Sequence, residues 1–289
     1  MTAEFMAEIV LPPIDEKRPD GHVEECPMTL CVAAACEFEK APCVVACCDR
    51  AGSRGDLISE DTDKMRPIEG SHVMLAGALS PARELLAYCE ESIKKYEAGG
   101  NELAVTELMK SLREAVRIRR REINDAYLSA RYGLSFDEFF NFGKKQFREA
   151  HYLQVWHEIN NLDLEAELIL SSFSDDESIL IHIARDGVVT WADHYVAIGT
   201  GAAICNAFLK QRDYNDQMPI QECLYRVLES KLAAEKDPYV GKATALEVLT
   251  LEIDYTLSDE YTKGIMAEIE KSRQIPPMTF EKSLLSEIA

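Results

Sequence analysis

The chain has 289 residues, 47% of them hydrophobic, which is ample material for a packed core and excludes global disorder. Its net charge of −20 argues against nucleic acid as a partner, because phosphates are bound with clustered Lys and Arg, and against an anionic membrane surface. Apolar runs are too short for a membrane span, and nine cysteines in so long a chain read as small buried residues of a reducing, cytoplasmic protein rather than a disulfide scaffold.

Residues 1–28 hold Pro12-Pro13, Pro19 and Pro27 with seven acidic and two basic residues, the composition of a leader and not of a packing element. At Thr29 the character changes. Thr29–Cys36 is small and apolar, Glu37–Pro42 is a polar connector, and Cys43–Cys48 is apolar again, which predicts a hairpin buried on both faces. A glycine-rich turn over Asp49–Asp56 leads to short strands within Leu57–Ile68 and at His72–Ala76. Ser80-Pro81 opens a helix, and helical spacing continues to about Asn160 with a break at Tyr132-Gly133. The basic run Arg117–Arg121 reads as a solvated helix face.

Strands resume at Glu167–Phe173, Ser178–Ala184 and Val188–Trp191, with Arg185-Asp186-Gly187 as a hairpin turn. Tyr195–Gly201 is a strand running into a glycine-rich turn. Helices follow at Ala202–Lys210 and Ile220–Ala234, then a closing strand at Thr244–Asp254. Residues 255–289 are charged, contain Pro276-Pro277 and read as a peripheral tail. Strands and helices come in blocks, which excludes a doubly wound parallel sheet and favours antiparallel sheets with a helical layer.

Four positions carry chemistry. Thr29 opens a buried strand, Asp49 and Lys64 lie at strand edges, and Gly77 ends another strand. A hydroxyl, a lysine, a carboxylate and a backbone N–H beside a glycine are the parts of a nucleophile site with an oxyanion hole. Taken alone, each also reads as a strand start, a turn cap or an ion pair.

In order along the chain, the Thr29 hairpin, the Asp49-Arg50-Ala51 turn, Ile58–Met65, Leu75-Ala-Gly-Ala-Leu79, Leu164–Leu170, Tyr195–Gly201 and Asp237-Pro-Tyr-Val-Gly241 resemble segments of proteasome-type N-terminal-nucleophile (Ntn) hydrolases. The likeness extends to proteasome β subunits and to the peptidase of the bacterial two-component ATP-dependent protease, and it covers roughly residues 29–251. It implies an α+β, four-layer αββα sandwich of two antiparallel sheets flanked by helices over residues 29–254, with an enlarged helical region around 92–160.

The resemblance also implies roles. Thr29 would be the nucleophile, with its own α-amine as base. Lys64 would orient the hydroxyl, Asp49 would fix Lys64, and the Gly77 N–H would bind the oxyanion. Proteasome β subunits add an Asp and two Ser beside the amine; here Ala184 aligns with the Asp, and the Ser positions fall near Leu164 and Gly187. Implied partners are further copies of the chain in a ring, a peptide or unfolded-protein substrate and a separate ATPase unfoldase. No cofactor and no metal are expected. The competing expectations are a catalytically silent proteasome-like scaffold and an Ntn amidase acting on a small molecule.

Such chemistry needs Thr29 at the chain start. Met28-Thr29 lies at the change of composition, so Met28 is expected to be the initiator, removed from before a small residue. Glu24-Glu25, if encoded GAG-GAG, would place a ribosome-binding sequence just upstream. The alternative is autolysis after Met28, where the family usually has Gly, the residue that tolerates a strained turn. Elsewhere, the cysteines lack a CxxC…CxxC pattern, His151 and His157 do not share a helix face, and Gly199-Thr200-Gly201 lacks the Gly-Lys-Ser/Thr of a phosphate loop.

Overall fold

The computed structural model describes residues 29–50, 52–54, 57–59, 64–98, 105–174 and 177–273. The leader, part of the glycine-rich turn after Arg50, residues 60–63 and residues 274–289 lie outside them.

The hairpin expected at Thr29 is formed by β1 (Cys31–Phe38) and β2 (Ala41–Asp49). Its connector differs from the expectation. Glu37, Phe38, Ala41 and Pro42 extend the strands, leaving a two-residue turn in which Glu39 and Lys40 have φ of 53° and 69°. Two positive φ values match the right-handed twist of a tight hairpin, a geometry usually marked by Gly or Asn and here held without either.

Short strands β3 (Gly52–Arg54) and β4 (Leu57–Ser59) pair with each other. Then come β5 (Met65–Ile68), β6 (Ser71–Gly77) and helices α1 (Leu79–Ala98), α2 (Val105–Tyr132), α3 (Phe136–Gln146) and α4 (Glu149–Asn160). The second strand block is β7 (Ala166–Ser174), β8 (Glu177–Ile183), β9 (Val189–Ala192) and β10 (Tyr195–Ile198). Helices α5 (Ala202–Gln211) and α6 (Ile220–Ala234), strands β11 (Thr244–Thr250) and β12 (Tyr255–Thr256), and helix α7 (Asp259–Arg273) complete the described chain.

The large strands form two five-stranded sheets, β10-β1-β2-β11-β12 and β5-β6-β7-β8-β9, and their ladders are antiparallel. Period-two alternation along β1 explains their stacking. Cys31, Ala33 and Ala35 point one way and join Met74, Ala76, Ile169 and Leu180 in an apolar layer between the sheets. Val32, Ala34 and Cys36 point the other way, onto Cys205 and Leu209 of α5 and Cys223 and Val227 of α6. On the outer face of the second sheet, Val73, Leu75, Leu168, Leu170 and Ile181 pack beneath Leu85, Cys89 and Ile93 of α1 and Leu112 and Val116 of α2. The order across the molecule is therefore helices, sheet, sheet, helices.

Two further regions stand apart from this frame. Leu128, Phe139, Tyr152, Val155 and Ile159 form a separate small core between α2, α3 and α4, and α3 starts at a reciprocal Ser135–Glu138 capping box. The arginines of α2 are engaged on its surface: Arg117 with Glu114, Arg119 with Glu84, and Arg121 with Asp137. Residues 255–273 differ from the tail expected of them. β12 pairs with β11, and Ile265, Met266 and Ile269 of α7 pack on the α5–α6 core. These apolar residues recur at helical spacing among charged ones.

The cysteines behave as small core residues. All eight that are described are free and buried, and burial pushes the Cys89 and Cys205 thiols up to about 12, so they rest as thiols and not as nucleophilic thiolates. Among the described residues, no helix is long and apolar enough to cross a membrane.

Candidate active site

Thr29 precedes β1, Asp49 ends β2, and Lys64 precedes β5, so the three approach from both sheets at one end of the sandwich. The Lys64 ammonium donates to Thr29 Oγ1 at 3.0 Å and to Asp49 Oδ1 at 2.7 Å. Thr29, Asp49 and Lys64 are 3%, 0% and 5% exposed.

Burying a carboxylate is costly unless its oxygens are satisfied. Asp49 meets that condition. Oδ1 also accepts the Leu30 N–H at 2.8 Å, and Oδ2 accepts the Gly241 N–H at 2.8 Å. The Asp49 N–H in turn donates to the Leu30 carbonyl at 2.9 Å. Asp49 thus fixes both the start of β1 and the position of Lys64.

A glycine turn closes over Thr29 from β10. Gly199 has φ of +89°, and a Cβ there would lie 2.3 Å from the Thr29 carbonyl oxygen. The Gly201 N–H approaches the same oxygen at 3.4 Å. Only glycine permits both the dihedral and the approach.

Gly77 occupies the same end. Cys31 Sγ donates to the Leu75 carbonyl at 3.4 Å, linking β1 to β6 across the interface. Thr29 lies two residues before Cys31, and Gly77 two residues beyond Leu75. Gly77 has φ of +103°, and a Cβ would meet the Glu165 carbonyl oxygen at 2.4 Å.

The structure brings Thr29, Asp49 and Lys64 into one hydrogen-bonded chain and sets Gly77 at the same end of the sandwich. Leu164 and Gly187 lie toward the same end of the second sheet, since Gly77 pairs with Ala166 and Leu168 with Ile183, but on its helix-covered side. Leu164 is buried in the α1–α2 core, and Gly187 abuts Val116 and Arg120 of α2. Neither position faces Thr29. The polar residues facing the sheet interface at the Thr29 end of β7 and β8 are Glu167 and His182. Glu167 Oε2 accepts the Gly199 N–H at 3.4 Å and lies 3.8 Å from His182 Nε2.

Sequence reasoning noted Tyr195–Gly201 and Asp237–Gly241 as segments without assigning them a part in the site. The signal for them was glycine at the end of an apolar strand or beside a turn. Glu167 carried no local signal, and His182 read only as a strand histidine of the core or an interface. Among the described residues, no group of three His, Cys, Asp or Glu side chains is arranged to hold a metal ion. No protein-family model matches this chain, and no curated protein matches it.

Proposed function

We propose that this chain is an N-terminal-nucleophile peptide hydrolase, with an Ntn-type αββα fold and Thr29 as its nucleophile. One observation carries this reading: a buried lysine, held by a fully hydrogen-bonded carboxylate, donates directly to the hydroxyl of a threonine at the start of a strand. Burial of a lysine alone would not suffice. Lys231 is equally buried, but it is satisfied by Glu235 and by the Lys242 carbonyl at 3.0 Å.

The chemistry follows from donor and acceptor roles. Lys64 donates to Oγ1 and to Asp49, so its protons are committed to those acceptors and it is not placed to act as the base. The hydroxyl proton must go elsewhere, and the α-amine of Thr29, with an ordinary pKa of about 8, can accept it near neutral pH. Oγ1 then attacks the scissile carbonyl and the Gly77 N–H receives the oxyanion. The amine returns its proton to the leaving nitrogen as the C–N bond breaks, and water hydrolyses the resulting ester. Lys64 stabilises negative charge building on Oγ1.

This chemistry requires Thr29 to be the first residue of the active chain. It also fits a peptide substrate admitted to a ring of identical subunits, with unfolding supplied by a separate ATPase. The test is to express the full reading frame and treat the product with a peptide epoxyketone, which needs both the hydroxyl and a free amine, and with a β-lactone, which needs the hydroxyl. Intact mass is expected to show a chain beginning at Thr29, with one adduct from each reagent, and Thr29→Ala is expected to take up neither. A correctly folded Thr29-start chain that takes up neither reagent and cleaves no peptide would instead identify a silent scaffold.

A further inference from the structure

We infer that Glu167, backed by His182, is a positioning residue that holds the Gly199 turn against the nucleophile; this rests on the reading of Thr29 as nucleophile. The inner face of the second sheet is otherwise apolar near this end, with Met74 and Ala76 on β6, Ile169 on β7 and Leu180 on β8. Period-two alternation puts Glu167, two before Ile169, and His182, two after Leu180, on that same face. The register sets Ile169 opposite His182 and Ala76 opposite Glu167, so Glu167 lies beside the strand that ends in Gly77.

A carboxylate in that layer is unfavourable unless it is used. Its side chain is 27% exposed and that of His182 is 24% exposed, which places them inside the rim of the interface. Glu167 Oε2 receives the Gly199 N–H and faces the imidazole Nε2. Gly199 is also the residue whose backbone presses on the Thr29 carbonyl. A continuous path of contacts therefore runs from His182 through Glu167 and Gly199 to Thr29. Without the acceptor, the turn loses its anchor on the second sheet and the nucleophile loses one wall.

The role assigned is acceptance of a hydrogen bond, which glutamine retains and alanine does not. Protein expressed from the full reading frame and carrying Glu167→Ala, with Thr29 shown by intact mass to be its first residue, is therefore expected to hydrolyse a fluorogenic peptide with kcat reduced about 10- to 100-fold, the scale of a misplaced reacting group, and with KM within twofold. Glu167→Gln is expected to recover most of that loss. Hydrogen exchange of the peptide spanning residues 199–201 reads the turn without reference to catalysis, and it is expected to speed up in Glu167→Ala but not in Glu167→Gln. The inference is overturned if exchange is unchanged in Glu167→Ala, if kcat is unchanged in Glu167→Ala while wild type is active, or if the two variants lose kcat equally. Failure of the wild type to take up the epoxyketone would reject the nucleophile reading, and faster exchange in Glu167→Ala would then still establish the anchored turn.

Discussion

Two charged contacts tie the sheets together, and they are built differently. Asp49 and Lys64 meet where β2 ends and β5 begins, fully enclosed, with both carboxylate oxygens taken by backbone N–H groups as well as by the ammonium. His72 on β6 meets Glu247 of β11 at 3.4 Å and Asp254 at 2.7 Å, and the Asp254 side chain is 49% exposed. Lys64 bonds the backbone of Leu75, three residues along from His72, and Asp49 lies three from Ala46, the partner of Glu247. The two contacts are thus about 10 Å apart at strand spacing. The first is an enclosed pair fixed by backbone N–H groups; the second is half open to solvent and contains an imidazole whose pKa is raised by its carboxylate neighbours. A catalytic constellation needs the first kind, because its geometry must not depend on solvent or on titration of the support.

The sharpest way to break this comparison is at Asp49. Asp49→Ala removes the carboxylate, strands a buried ammonium and leaves the Leu30 and Gly241 N–H groups unpaired. The expected cost is about 3–5 kcal/mol in urea unfolding. Asp49→Asn keeps an acceptor for one N–H and is expected to cost less stability while still abolishing epoxyketone uptake, since Lys64 loses its counter-charge. If Asp49→Asn retained full uptake, the carboxylate would be a purely structural support.

Glycine substitutions probe the same end by shape. Gly199→Ala puts a methyl group 2.3 Å from the Thr29 carbonyl oxygen at a φ of +89°. The expected loss is at least about 2 kcal/mol, together with loss of labelling. Gly133, at φ +66° with nothing within 4 Å of a new Cβ, isolates the dihedral contribution. Gly133→Ala is expected to cost roughly 1 kcal/mol and to leave labelling intact. Midpoint shifts at constant m-value measure both, and equal shifts would mean that the close approach to Thr29 carries no energy.

Much of the Asp49 end was legible in the sequence, because its parts lie where apolar runs start or stop. Thr29 precedes the first buried run, Asp49 ends the second, and Gly77 ends the run His72–Ala76. Lys64 was legible mainly through its family-like spacing from Asp49. His182 read as a core or interface histidine, but its meeting with Glu167 was hidden for a physical reason. A lone polar residue in an apolar strand faces either the interface or the helices, and a register shift of one residue exchanges the two. Only the pairing of Ile169 with His182 decides it. The turn at Glu39-Lys40 was hidden because neither residue advertises positive φ. Helix α7 was hidden because Ile265, Met266 and Ile269 are sparse among charges and acquire meaning only against the α5–α6 core.

The His72 contact yields the smallest expected effect and the one with a pH signature. Burial lowers the imidazole's proton affinity, but hydrogen bonds and charge from Glu247 and Asp254 outweigh it and raise the pKa above the ordinary 6.5. A pKa raised on folding means that the folded chain binds this proton more tightly than the unfolded chain. The contribution is therefore complete below pH 6.5 and fades as pH climbs through the raised value. Because Asp254 is half exposed, its size is expected to be about 0.5–1 kcal/mol. Wild type is expected to exceed His72→Gln by that much in urea stability at pH 5.5 and to lose most of the margin by pH 8.5. Parallel pH profiles for wild type and His72→Gln would remove the distinction between a fixed support and a titrating one.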